Sequence, residues 1–191
     1  YVTTDWDKSL LEVFNKYPND KMWVCSHRVE PNMFGNINSR PGTVILPKDT
    51  FGAYHDNFKG ETFNEWATEF TSINDFEVPK GEGVSGLIRK EDWDYIGGND
   101  DRFAPAYCED MDLFIRMQNE GFKFMLTSES LIYHFASRAS RFPDDDLTKR
   151  PQELSDVEQN SMREFIKKYG HLRAGTYDIK SNNYSKLIRS T

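Results

Sequence analysis

Apolar side chains recur at helical spacing in several separate stretches of the chain, which predicts amphipathic helices there. Thr4 and Asp7 resemble a capping box at the start of the first helix, and Gly121 and Gly170 are typical stops for two later ones. The predicted helices cover residues 4–17, 61–73, 90–96, 109–121 and 151–170. Their predicted buried faces consist of Trp6, Leu10, Val13, Phe14 and Tyr17; Phe63, Trp66, Ala67 and Phe70; Leu113, Phe114 and Met117; and Leu154, Val157, Met162, Phe165 and Ile166.

Short apolar runs between these helices predict strands. They cover residues 21–26, 44–46 and 84–89, followed by two short strands that end at His134. Residues 28–42 carry two prolines and two glycines, so we expect a polar connection there. Helices that alternate with strands indicate a mixed α/β fold.

Glu109, Asp110 and Asp112 occupy the expected first turn of the third long helix. The helix dipole favours carboxylates there, and Asp112 is placed to pair with Arg116 at i,i+4, so charge compensation is one interpretation. The other is chemical, because a carboxylate can accept a proton. Asp110 is expected to head the buried stripe of this helix, and the pattern alone leaves both interpretations open.

Composition excludes several classes of protein. The 191 residues, of which 37% are hydrophobic and 14% aromatic, are enough for one folded domain. A formal charge of −7, without a run of three basic residues, argues against nucleic acid as a partner. The chain lacks both the apolar run of about 18 residues that a spanning helix needs and a signal-peptide pattern. Cys25 and Cys108 are expected to be free thiols in a reducing compartment, so we predict a soluble, cytoplasmic protein.

Several motifs together resemble the C-terminal, acceptor-side half of the GT-A fold family-2 glycosyltransferases. The resemblance implies a Rossmann-like nucleotide-diphospho-sugar transferase fold in residues 1–170, with residues 171–191 as a tail or extension. It also implies that the N-terminal nucleotide-binding strands lie upstream of Tyr1, in a segment that completes the donor site. Asp5-Trp6-Asp7 spells a DxD metal motif, but helix capping is the preferred interpretation. The matching motifs are GLIRKEDWDYIGGND at 86–100, EDMDL at 109–113 with Arg116, Gly121-Phe122, ESLIYH at 129–134, and Asn160, Phe165 and Lys168-Tyr169-Gly170.

The resemblance also implies roles for single residues. Asp110 is expected to be the general base and Glu109 to orient the acceptor or the helix start. His134 is expected to be one ligand of a divalent cation, Mn²⁺ or Mg²⁺, although a histidine at a strand end is also commonly structural. The residues expected to contact substrates, some from the resemblance and others from their own chemistry, are Gly86, Trp93, Asn99, Asp100, Asp112, Arg138 and Arg141.

Some of these substrate contacts also have a basis in residue chemistry. A glycine inside a strand either marks close approach of a ligand or forms a bulge, so both interpretations of Gly86 stay open. Arg138 and Arg141, three residues apart beside hydroxyls, can hold a diphosphate. The acidic run that follows predicts either a closing lid or a plain surface loop.

Two functions follow from these expectations. The first is metal-dependent transfer of a sugar from a nucleotide-sugar donor to a glycan or other hydroxyl acceptor, with inversion implied by the resemblance alone. The second is a non-catalytic binding or assembly module derived from a glycosyltransferase. The absent donor half favours the second, and the set of acidic residues and histidine favours the first.

Overall fold

The computed structural model describes residues 1–33, 43–70, 76–77, 85–135 and 152–170, with only the backbone of 76–77. The chain divides into two compact units. The first contains Tyr1–Arg89 and Phe122–Ala136, and the second contains Lys90–Gly121 and Ser137–Thr191. Arg138, Arg141, the acidic run after them and the predicted tail 171–191 lie outside the described residues.

The first unit is built on a small, open, mostly parallel sheet, which is compatible with a Rossmann-like α/β fold. Strand β1 runs parallel to both β2 and β5, while β3 runs antiparallel to β5 and β4 antiparallel to β1. The mixed α/β fold predicted from the alternating elements is therefore confirmed. The strands are β1 (Met22–Pro31), β2 (Thr43–Leu46), β3 (Phe76–Glu77), β4 (Gly86–Leu87) and β5 (Lys123–Tyr133).

Three strand predictions were wrong in extent. Of the predicted strand 84–89, the described residues contain only β4, Gly86–Leu87. β1 continues to Pro31, so the polar connection expected from residue 28 begins too early. Arg28 is buried in this strand, where its Nη2 donates to Thr43 Oγ1 at 3.1 Å and its guanidinium forms an ion pair with Glu30, Nε lying 3.1 Å from Oε1. β5 is one strand of eleven residues instead of two short ones. Its register against β1 shifts between Ser26 and His27, where residues 128–130 are extra on β5, and this irregularity makes the sequence resemble two strands.

The helices are α1 (Trp6–Lys16), α2 (Gly60–Phe70), α3 (Lys90–Ile96), α4 (Glu109–Asn119) and α5 (Gln152–Tyr169). The residues of the predicted apolar faces are buried or half-buried with two exceptions, and Leu10, Val13 and Phe14 of α1 are among the buried ones. Tyr17 and Ile166 are exceptions, at 43% and 41% exposed, because Tyr17 lies beyond the end of α1 and Ile166 faces outward from α5. The capping box predicted for α1 is also wrong, since its N-cap is Asp5, whose side chain makes no capping hydrogen bond.

Each unit has its own hydrophobic core. In the first unit, one cluster packs α1 against β1 around Leu10 and Val24, and another packs α2 against the sheet around Phe63 and Leu131. In the second unit, Phe103, Cys108, Ile115 and Phe165 form the core. Neither cysteine forms a disulfide, as expected, and both are buried. None of the helices in the described segments is long and apolar enough to cross a membrane.

Candidate functional site

The turn before α4 has an unusual backbone. Tyr107 and Cys108, neither of them glycine, have φ values of 73° and 68°, and Cys108 is the N-cap of α4 without a side-chain hydrogen bond. Left-handed conformations of such residues cost on the order of 1–3 kcal/mol and persist only where the surrounding structure enforces them. Interactions elsewhere must therefore hold the first turn of α4 in place.

Asp112 is the main anchor of this turn. Its carboxylate is fully buried and contacts three donors: Arg116 Nε at 2.8 Å, Lys168 Nζ at 2.5 Å and the Tyr169 hydroxyl at 2.5 Å. Burial of an ion is tolerated only with such complete pairing. The predicted Asp112–Arg116 pair is confirmed. A substrate contact was also expected for Asp112, but in this structure its carboxylate contacts other protein side chains.

Asp110 lies in the same helical turn as Asp112, but its side chain is exposed. The prediction that it heads the buried stripe is wrong, because Asp112 has the donors that compensate burial and Asp110 does not. Asp110 Oδ1 accepts a hydrogen bond from the backbone N–H of Met111 at 2.7 Å. In the described segments it forms no ion pair, so its carboxylate is accessible to a solute.

Glu109 has a third kind of environment. Its side chain is half-buried, and its Oε2 has no hydrogen-bond partner among the described residues. Burial raises the pKa of Glu109, and the neighbouring charge of Asp110 adds to the rise. Burial also raises the pKa of the Cys108 thiol to about 11, so this thiol is protonated at neutral pH. Three consecutive residues thus differ in exposure within one turn.

The loop after α3 is joined to α4 and α5 by the same polar cluster. Asp100 accepts hydrogen bonds from the guanidinium and the backbone N–H of Arg102, and from Lys168 Nζ at 2.6 Å. These hydrogen bonds hold the pKa of Asp100 below its ordinary value, the Arg102 side chain contributing most. Lys168 therefore brings together Asp100 and Asp112, two of the predicted substrate contacts.

Two further predicted contacts lie near this loop. Asn99, beside Asp100, is exposed. Trp93 is half-buried, and its indole packs so close to Gly98 that a Cβ there would lie 3.1 Å from the ring. Arg116 completes the arrangement, because its Nη1 and Nη2 donate to the carbonyls of Ile96 and Gly98 at 2.6 Å each.

Gly86, in the first unit, has a close neighbour of its own. A Cβ at this position would lie 2.1 Å from the indole of Trp23. The close approach expected from a glycine inside a strand is therefore an approach to Trp23, whose ring fills the space predicted for a substrate.

His134 and Glu30 form a polar pair where two parallel strands of the first unit end. His134 directly follows β5, and its Nδ1 lies 2.7 Å from Glu30 Oε1 near the end of β1. The carboxyl ends of parallel strands are where α/β sheets usually bind ligands. A metal-binding histidine typically directs its second ring nitrogen to a carboxylate, so His134 fits the role of one metal ligand. Within the described segments, no three His, Cys, Asp or Glu side chains lie close enough together to hold a metal ion.

Three residues of these arrangements were missed as site residues in the sequence. The sequence pattern assigns Lys168 and Tyr169 only to the last turn of a helix and to a family motif. A basic residue beside an aromatic one was nevertheless a usable signal of a site. Glu30 fell in the predicted polar connection and gave no signal, because its pairing with His134 depends on the parallel arrangement of β1 and β5.

Comparisons of the chain with models of protein families, with curated proteins and with solved structures gave no match. The resemblance to family-2 glycosyltransferases rests on the motifs quoted above.

Proposed function

We propose that the chain is the acceptor-side half of a GT-A fold glycosyltransferase that transfers a sugar from a nucleotide-sugar donor to a carbohydrate-type hydroxyl, with inversion. The observation that supports this proposal is that two acids in the first turn of α4 have different environments. Asp112 is buried and paired with three donors, whereas Asp110 is exposed without an ion pair in the described segments. The turn is thus anchored by one carboxylate and presents another.

Asp110 is the proposed general base. An acceptor hydroxyl is a weak nucleophile, and a carboxylate within hydrogen-bond reach increases its reactivity by taking the proton. As the acceptor oxygen bonds to the sugar carbon, the bond from that carbon to the diphosphate oxygen breaks and the proton passes to Asp110. Glu109 orients the acceptor or the helix start, and exposed Asn99 is a further proposed acceptor contact.

His134 is the proposed metal ligand in the first unit. A bound Mn²⁺ or Mg²⁺ would neutralise the charge that develops on the departing nucleoside diphosphate. Glu30 fixes the orientation of the imidazole through the hydrogen bond to Nδ1, which leaves Nε2 as the proposed ligand atom. Arg138 and Arg141 remain proposed diphosphate contacts.

Measurement of nucleoside diphosphate release tests the proposal. The chain is incubated with Mn²⁺, a panel of nucleotide sugars and simple glycan acceptors, with and without the segment that the resemblance expects upstream of Tyr1. We expect Asp110→Asn to lower turnover about 10²–10⁴-fold, the usual contribution of a general base. Donor binding should be unchanged, and the control Asp101→Asn, at another exposed acid, should keep full turnover. Normal turnover of Asp110→Asn would refute the assignment of the base.

The same preparation tests the metal ligand through Mn²⁺ binding alone. His134→Ala should weaken Mn²⁺ binding, and Glu30→Gln should weaken it about 10–100-fold, as is typical when the partner of a metal-binding histidine is removed. His55→Ala is the control, because His55 is an exposed histidine that also contacts a carboxylate, that of Asp56 at 3.2 Å. Equal Mn²⁺ affinity of all three variants would refute the role of His134.

The competing function is a non-catalytic binding or assembly module. It is favoured by the internal pairing of Asp100, Asp112, Arg102 and Arg116, which leaves these four side chains engaged with other protein groups. Absence of nucleoside diphosphate release with every donor, with the upstream segment present as well, would favour the module.

A further inference from the structure

We propose that Lys168 is a positioning residue for the reaction, an inference that rests on the proposed function. Its ammonium group fixes two elements at once: the first turn of α4, which presents Asp110, and the loop after α3, which presents Asn99. It acts on the first element through Asp112 and on the second through Asp100.

The contacts of Lys168 are short and sheltered from solvent. Nζ lies 2.5 Å from Asp112 Oδ1 and 2.6 Å from Asp100 Oδ2. The side chains of Lys168 and Asp100 are each 17% exposed, and that of Asp112 is inaccessible. Charges with so little exposure are screened far less by water and salt than surface pairs are. This double contact therefore restrains both carboxylates strongly.

The bridge connects three segments that are distant in sequence. Asp100 belongs to the loop after α3, Asp112 to α4 and Lys168 to the last turn of α5. Arg102 pairs with Asp100, and Arg116 pairs with Asp112. Among the cations of the described segments, Lys168 alone contacts both carboxylates. Loss of its charge would leave each arginine pair intact and remove the salt-bridge connection between the pairs.

The link to Asp110 is short. Asp110 precedes Asp112 by two residues in the same helical turn, and this turn follows the left-handed residues Tyr107 and Cys108. The strained backbone at these two residues is expected to relax when the contacts of Asp112 that hold the turn are weakened. The carboxylate of Asp110 would then move relative to the acceptor, and a misplacement of about 1 Å can lower a rate roughly 10²-fold.

Lys167 provides a matched control on the same helical turn. Its side chain is 70% exposed, and its Nζ pairs with Glu164 Oε1 within α5. Lys167→Met and Lys168→Met thus make the same chemical change one residue apart, one at the surface and one in the bridge.

The first measurement is kinetic. We expect Lys168→Met to lower kcat and raise the KM for the acceptor, with a combined loss of about 10–100-fold in kcat/KM, while the KM for the donor is unchanged. Lys168→Arg, which keeps the charge, should recover part of the loss, and Lys167→Met should behave as the parent chain. A purely structural role would lower the amount of active protein without changing either KM, and that result would overturn the proposal.

The second measurement does not depend on activity. Amide hydrogen exchange should become faster in both 98–103 and 109–113 of Lys168→Met and stay unchanged in β5. Faster exchange confined to α5 would show that Lys168 does not hold the two elements, and it would overturn the proposal. If the parent chain transfers no sugar from any donor, with the upstream segment present as well, the proposed function fails. The exchange result still decides whether Lys168 connects the two elements.

A second variant tests the proposal if Lys168→Met does not fold. Asp100→Asn weakens the bridge from the loop side and leaves Asp112 paired with Arg116, Tyr169 and Lys168. Its exchange should increase in 98–103 only, with a raised KM for the acceptor. Unchanged exchange in that loop would count against the proposal.

Discussion

Helices α1 and α4 begin with similar local chemistry and use it differently. Each N-cap, Asp5 or Cys108, is a residue other than glycine with a left-handed φ, 56° or 68°, and neither side chain makes a capping hydrogen bond. Each helix also has at least one acid in its first turn, Asp7 in α1 and three residues in α4. In α1 the acid of the first turn is Asp7, which is exposed, whereas in α4 Asp112 is fully buried.

The difference arises from what packs around each helix. Arg116 of α4 itself and Lys168 and Tyr169 of α5 supply donors to Asp112, so an ion becomes stable in the interior of the second unit. Among the described residues Asp7 has no ion-pair partner, and its favourable interaction with the helix dipole is weak at an exposed position. An acid in the first turn of a helix is therefore solvated in α1 and anchors the turn in α4.

The largest expected difference between the two helices is the loss of stability when Asp112 or Asp7 is replaced by alanine. We expect Asp112→Ala to lower the free energy of unfolding by about 3–5 kcal/mol, because Arg116 and Lys168 would be left with little exposure and without their shared carboxylate. Asp7→Ala should change it by about 0.5 kcal/mol or less, as is usual at exposed sites. Urea unfolding of both variants measures the difference, and equal losses would contradict the anchor role.

A smaller effect should come from the hydroxyl that faces Asp112. Tyr169→Phe removes a hydrogen bond to a buried carboxylate and should cost about 1.5–3 kcal/mol. Tyr95→Phe removes a similar hydrogen bond to Glu120, but Tyr95 is 58% exposed, and we expect almost no change. Thermal unfolding of the pair tests this, and a midpoint that falls as far for Tyr95→Phe would show that burial is not the cause.

The smallest effect is the pH dependence due to Glu109. Because burial raises its pKa in the folded chain, the folded state binds more protons than the unfolded state between the ordinary and the raised pKa. Stability is therefore lost as pH rises through that interval, and the loss persists above it. Glu109→Gln should remove this loss, so the stability difference between variant and parent should grow from about pH 4 to about pH 7. Unfolding curves at both pH values measure it, and a constant difference would refute the raised pKa.

The sequence by itself determined where the long helices of the chain lie. Periodic apolar residues placed α1, α2, α4 and α5, because one face of a helix must be buried whatever covers it. Gly121 and Gly170 ended two helices with φ values of 77° and 86°, which glycine adopts without strain. The spacing of four residues was also enough for the Asp112–Arg116 pair, since helix geometry alone brings those side chains together.

Only the tertiary structure decided which of two acids in one turn is buried. Asp110 and Asp112 are alike in the sequence, but the donors that stabilise Asp112 include Lys168 and Tyr169, more than fifty residues further along the chain. Glu30 and His134 meet in the same way, across parallel strands that are distant in sequence. Spacing along a helix reports neighbours within about one turn, whereas the burial of a charge depends on every element that surrounds it.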